Sequence, residues 1–430
     1  MTMKQERAAR RLQEWETNDR RARAADAAAQ SWVKDSKSAT ELLLDPELFP
    51  KLLADIAKAG LVGEQGNALA TYIMATSRFR EKPLNEIIKG KSSGGKNFLA
   101  KTVLKFVPED DVVSASSMTK HALDYAGPNR LTHKLVYVDE HVGVAHPLRQ
   151  LISEGRLIRL ATVMENGVRV MKEFITQGPV SCITTTTANA LAIDDENRNL
   201  SIWIDESYRQ TQEIAKAHVA KQEPLRPERL HLWHLVQHRI ADRGDIGIET
   251  PRWFVDIAEK ILPYADLRIR RYWPAFVEAC RLVALIRAAA WPKPDDEITV
   301  SFDDFATALC IFDRLIGDSL TRSGGDAEMA IAELVERLSG GKDAGISAAD
   351  LVGQQGVRSL DQAYRALRRA REAGTVYIVN EHERNNEKRY ARSPLATFLG
   401  TPEYIVNKLG LRISGKYVHP ISGKRIAYGK

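Results

Sequence analysis

Apolar positions change their spacing along the chain, and each change predicts a different kind of element. From Ala39 to Arg80 the spacing is helical: Leu42, Leu43, Leu44, Phe49, Leu52, Leu53 and Ile56, a break at Gly60, then Leu69, Tyr72, Ile73 and Met74. This predicts a helical lead-in over 38–82. From Pro83 to Ser207, short β-branched runs alternate with helical stretches, the pattern of an α/β domain built on a largely parallel sheet. Strands are expected at Asn85–Lys89, Asp111–Ser114, Lys134–Asp139, Val180–Thr185 and Leu200–Asp205. From Gln210 to Gly325 the chain reads as nearly all helix, including Arg271–Ala290 and Phe302–Ile316.

The next stretch, 326–395, predicts helices at Met329–Leu338, from Ser347 through Ala348–Val352 and at Ser359–Ala373, then a hairpin of TVYIV and KRYAR around NEHERNNE. Three helices and a hairpin in this order predict a winged helix, with Arg365, Arg368 and Arg369 on the third helix for a DNA major groove and Lys388 and Arg389 on the wing. The first 37 residues read as a charged arm, helical or disordered, and 396–430 as a basic appendage. The expected order is therefore arm 1–37, lead-in 38–82, α/β core 83–211, helical lid 212–325, winged helix 326–395 and appendage 396–430.

Composition adds little to this. The formal charge of +6 and pI near 9.0 come mostly from the two ends and fit a polyanionic partner. Three scattered cysteines, Cys182, Cys280 and Cys310, argue against a disulfide framework or a zinc site and for a reduced, cytoplasmic setting. No apolar run approaches the roughly 20 residues of a membrane span, so no membrane association is expected.

Chemistry enters with Gly90-Lys91-Ser92-Ser93-Gly94-Gly95-Lys96-Asn97, which fits the phosphate-loop pattern G-x-x-x-x-G-K between a strand and the expected helix Phe98–Phe106. Glycines let backbone N–H groups wrap phosphates, while Lys96 and the helix N-terminus supply positive potential, so ATP with Mg2+ is the expected ligand. Asn97 stands where a Ser or Thr usually reaches Mg2+. Its amide oxygen can still coordinate, so the departure bears on turnover and not on binding. About 40 residues on, the strand Leu135–Val138 ends in Asp139 and Glu140. Asp139 suits the Mg2+ shell and Glu140 the orientation of an attacking water; the alternative is a strand that simply exits into solvent.

Val180–Thr187 turns polar at its end, offering Thr185 or Thr186 as a sensor of the γ-phosphate, or threonines kept only for strand propensity. Arg198, just before the last core strand, suits charge stabilisation on a neighbouring subunit's nucleotide, or a surface pair with Glu196. Around Asn166-Gly167, a strong two-residue turn, a hairpin is expected whose Arg169 and Lys172 follow DNA phosphates in a central pore, or which is merely structural.

The run from Gly63-Glu64 through GKSSGGKN, SSMTKHAL, LTHKLVYVDE, LISEG, GPVSCITTTT, ENR and IDESYRQT resembles the replicative AAA+ helicase-type ATPases of bacterial mobile elements, and is similar in layout to the minichromosome-maintenance helicases. The resemblance covers Gly63 to Thr211. It implies an α/β AAA+ core with a helical lid and a C-terminal winged helix, and a hexameric ring with single-stranded DNA in its pore and duplex at the winged helix. It also implies roles for Lys96, Asp139, Glu140, Thr186 and Arg198, a lid sensor arginine at Arg271, and a primase or initiator as partner. An ATP-switch regulator or helicase loader with little hydrolysis is the alternative.

Overall fold

The computed structural model describes residues 36–116, 123, 127, 130–140, 150–152, 154–188, 198–220, 223–244, 246–262, 268–291, 297–321, 326–339, 345–354, 356–372, 376–379, 387–392 and 398–429. The expected arm lies outside these residues except at its end, where 36–43 is helical. Helices α1 (Leu48–Lys58) and α2 (Gln65–Thr76) form the lead-in. Every residue of α2 from Ala68 to Thr76 is buried, as befits a helix apolar on all sides.

Five strands form one sheet: β1 (Glu86–Lys89), β2 (Val112–Ala115), β3 (Lys134–Val138), β6 (Val180–Thr186) and β7 (Leu200–Trp203). Their order is β2-β3-β6-β1-β7 and every pairing is parallel. β1 and β6 are buried at every position, the continuous burial required when helices cover both faces. Between β3 and β6 the chain makes an antiparallel hairpin of its own, β4 (Arg156–Glu165) with β5 (Val168–Gln177). Its turn residues Asn166 and Gly167 both have positive φ, 50° and 81°, which is why Asn-Gly is the favoured pair there.

The opposite edge of the sheet is pinned by one buried cation. Arg78 donates to Gln237 Oε1 (2.8 Å), Ala75 O (3.1 Å) and Asp111 Oδ2 (2.9 Å), and Lys134 takes the other Asp111 oxygen (2.9 Å). Burial alone would raise the Asp111 carboxyl, but Lys134 and Arg78 outweigh it and hold it low. The lead-in, the starts of β2 and β3 and a later helix are thereby tied together.

The region expected to be nearly all helix contains α4 (Tyr208–Val219), α5 (Pro227–Ala241), α6 (Trp253–Lys260), α7 (Ile269–Ala288) and α8 (Phe302–Thr321), with a short parallel pair of β8 (Ile248–Glu249) and β9 (Ile298–Thr299). Next come α9 (Asp326–Ser339), α10 (Leu360–Glu372) and the hairpin of β10 (Val376–Ile378) and β11 (Tyr390–Arg392), which share a separate core. The helix expected from Ser347 is one 3-10 turn, Ala349–Leu351. Asp350 caps Ser347 N (2.8 Å), and the chain soon turns at Gly353, whose φ of 87° ends any helix.

The segment read as an appendage packs into the main core. α11 (Pro402–Leu409) and the hairpin β12 (Gly415–Val418) and β13 (Arg425–Tyr428) bring Phe398, Ile405, Val406 and Tyr417 against the α7–α8 layer. Asp313 on α8 accepts from the backbone of Leu399 (2.5 Å) and Gly400 (3.1 Å), and Tyr428 donates to Asp303 (2.8 Å). No helix among the described residues is long and apolar enough to cross a membrane.

One core group carries a measurable cost. Glu86 is fully buried; Oε1 accepts from Thr71 (2.7 Å), and Oε2 has no partner among the described residues. Burial pushes its pKa up from 4.5 to about 8, so the folded chain keeps a proton that the unfolded chain releases. Stability present below pH 4.5 is lost as the pH rises toward about 8, by about 1.4 kcal/mol per pH unit at most. Melting curves of Glu86→Gln and the parent should therefore diverge across that window, with the parent losing ground as pH rises; a difference that stays constant with pH would show that Glu86 is not the group responsible.

Candidate nucleotide site

At the carboxyl ends of the parallel strands, β1 runs into the phosphate loop and the loop into helix α3 (Lys96–Leu104). Packing explains two of its glycines. A Cβ on Gly90 would lie 2.4 Å from Ile204 Cγ1, and one on Gly94 2.5 Å from Ile204 Cδ1, so the end of β7 touches the loop where no side chain fits. Gly95 serves by conformation instead: it caps the start of the helix at φ 96°, two residues after Ser93 at φ 64°. Lys91, Ser92 and Ser93 are exposed.

Lys96 is buried and folds back over the loop, donating to Gly90 O (2.7 Å) and Lys91 O (2.6 Å). Burial lowers its pKa, and the Glu206 carboxylate partly opposes that shift. Glu206 also accepts from Lys91 N and pairs with Lys91 Nζ at 3.5 Å. Behind it, Glu64 accepts from Asp205 N (2.6 Å), and Gln210 donates to Val62 O (2.6 Å). The lead-in, the end of β7 and the first turn of α4 thus form the wall against which the loop rests.

The end of β3 and the end of β6 meet the loop at Asn97. Thr185 Oγ1 donates to Asn97 Oδ1 (2.8 Å) and lies against the main-chain oxygen of Asp139. Asp139 Oδ2 pairs with Lys101 Nζ (3.0 Å). Asp139 Oδ1 and the hydroxyl of Tyr137 are both buried, and within the described residues the Tyr137 hydroxyl is the one donor facing the Asp139 carboxylate on this side. Burial, and then the Asp139 carboxylate, push the Tyr137 hydroxyl's pKa up. A neutral phenol leaves the carboxylate's charge uncompensated on this side, and a carboxylate oxygen keeps a lone pair after accepting one bond, so this side of Asp139 fits a divalent cation or its water shell. Asn97 keeps one lone pair for the same purpose after accepting from Thr185. Glu140, one residue beyond, is exposed.

Of the two candidate threonines, Thr185 joins this cluster. Strand alternation turns Thr186 to the other face, where its hydroxyl accepts from Ala188 N (3.1 Å). Arg198 is half-buried before β7, and Arg271 is exposed on the first turn of α7. Arg268, a neighbour of Arg271, is committed to Ser319 O (2.9 Å) and Leu320 O (2.6 Å).

The basic residues expected to meet DNA sit on two other units. Arg169 and Lys172 are both exposed on the hairpin but face opposite ways: Arg169 is paired with Met164 on one face and Lys172 with Ala161 on the other. They cannot track one strand together on a single face. On α10, Arg365, Arg368 and Arg369 are exposed while Ala363, Leu367 and Ala370 are buried; Arg365 pairs with Asp361 at 2.6 Å. Lys388 and Arg389 are exposed ahead of β11, and Arg389 also donates to Gly345 O (3.3 Å). Most of the loop between β10 and β11 lies outside the described residues.

Sequence patterns missed four contributors: Tyr137, Lys101, Ile204 and Glu206. Two had a signal, since Lys101 is one helical turn from Asn97, and Tyr137 is two strand positions from Asp139.

Residues 33–227 match a family described as "MTBMA_p00010 P-loop domain". No curated protein matches the chain. The matched span holds all five parallel strands, the phosphate loop and the wall behind it, and this part of the chain is an α/β P-loop domain of the kind that binds or hydrolyses nucleoside triphosphates.

Proposed function

We propose that this chain is an ATP-dependent DNA helicase or translocase of the AAA+ kind, working as a ring, most simply a hexamer, in the replication of a mobile element. The observation that carries the reading is the meeting of Lys96, Asn97, Asp139 and Thr185 at one edge of the sheet, with Glu140 exposed beside them. Hydrolysis needs charge on the phosphates, a held cation and an oriented water, and each has a residue here. Lys96 meets the β- and γ-phosphates, as its position inside the loop requires. Asn97 and Asp139 would hold Mg2+, whose charge offsets that developing on the phosphate oxygens. Glu140 accepts a proton from the attacking water while Thr185 keeps Asn97 and the end of β3 in place. Arg198 reaches the nucleotide of a neighbouring subunit. The hairpin and the basic face of α10, read as a winged helix, supply the contacts to single-stranded and duplex DNA, and a primase or initiator would complete the replication assembly.

One observation favours a second reading. Asn97 replaces the usual hydroxyl ligand and already accepts from Thr185, which suits slow hydrolysis and an ATP-operated assembly switch or helicase loader.

ATPase rate separates these. The parent should be stimulated several-fold by single-stranded DNA, whereas a switch binds ATP and shows no stimulation. Arg198→Ala should bind ATP normally and lose on the order of 10³-fold in turnover. Mixed with Lys96→Ala it should regain activity, because one subunit then supplies the nucleotide and the other the arginine across a head-to-tail interface. Co-assembly without regained activity would remove the trans role of Arg198. For the basic helix, replacing Arg365, Arg368 and Arg369 by Ala should flatten the salt dependence of duplex binding, by about 0.9 in log–log slope for each phosphate that an arginine had neutralised. An unchanged slope would make that face ordinary solvated surface.

A further inference from the structure

Asn97 and Lys101 lie one helical turn apart on α3 and so share a face. Asn97 meets the sensor strand, and Lys101 meets Asp139: Nζ is 3.0 Å from Oδ2 and 5.9 Å from the centre of the Tyr137 ring. The carboxylate is thereby divided. One oxygen accepts from an ammonium group, and the other is buried and faces the Tyr137 hydroxyl. Any divalent cation drawn to Asp139 must share a single negative charge with Lys101.

We infer that Lys101 sets the strength with which this site holds its divalent cation, by competing for Asp139. The inference rests on Asp139 being the cation's ligand, as proposed above. Three features fix its direction. Lys101 takes one lone pair of Asp139 Oδ2, so a chelating two-oxygen grip would have to share that oxygen with the ammonium group. Its positive charge repels a second cation at the short distances of a shared carboxylate. The remaining ligand, Asn97, is a neutral amide that returns none of the lost negative charge. The site is built to hold Mg2+ weakly, so that cation and nucleotide arrive and leave together. The Lys101 side chain is 56% exposed, so salt screens its effect.

The test measures binding of a non-hydrolysable ATP analogue to the full chain by calorimetry over a series of Mg2+ concentrations, reading the concentration that gives half of the Mg2+-dependent tightening. Lys101→Met keeps the length of the side chain and removes its charge; it should lower that concentration roughly three- to tenfold at low salt, with the gap closing as salt is raised. Lys101→Arg should stay near the parent value. An unchanged or raised midpoint in folded Lys101→Met overturns the inference. Asp139→Asn separates the two levels: if it moves the midpoint and Lys101→Met does not, only the role of Lys101 fails. If neither Asp139→Asn nor Lys101→Met moves it, Asp139 is not the ligand, and the inference falls with that reading.

Discussion

Everything at the candidate site depends on β6 lying in parallel register between β1 and β3. Ile88 is level with Thr185 and Val138 with Thr184, so the strand that launches the phosphate loop and the strand that ends in the acids stop within two residues of one another. The Thr185 hydroxyl bridges the gap, touching Asn97 on one side and the end of β3 on the other. A slip of one residue in either pairing would turn Thr185 to the opposite face and present Thr184 or Thr186 in its place. Complete burial of β1 and β6 makes such a slip expensive, because the slipped strand would exchange its packing partners on both faces.

The loop is held from behind as firmly as from the side. Ile204 packs against Gly90 and Gly94, Glu206 holds the first turn of the loop at Lys91, and Ser207 caps α4 through Gln210 N (3.1 Å). Only Asp205, Glu206 and Ser207 lie between Ile204, which packs on the loop, and Tyr208, which starts the helical region. Three residues thus separate the contact on the loop from the first turn of α4.

Much of this was legible in the sequence because it depends on local rules. The five strands fall within a few residues of their expected places, since β-branched runs between glycines and helices leave little choice, and Asn166-Gly167 forms its turn because few other pairs tolerate positive φ twice. What escaped depends on contacts between distant segments. Alternation puts Thr185 and Thr186 on opposite faces, but only the strand order shows which face meets Asn97. Glu206 is 115 residues from Lys91, and Phe398 and Tyr417 find the α7–α8 core after the chain has formed a separate unit in between. The opposite facing of Arg169 and Lys172 was within reach, since three residues along a strand always reverse the side.

If the carboxyl edge of this sheet is a nucleotide site, then the loop, the end of β3 and the end of β6 respond to ligand together. Hydrogen–deuterium exchange of the full chain, with and without a non-hydrolysable ATP analogue and Mg2+, reads all three at once. Slowed exchange is expected at 90–98, at 138–140, at 184–187 and at 204–207, while α10 is unchanged. Protection confined to other segments, or none at saturating analogue, would contradict a nucleotide site at this edge.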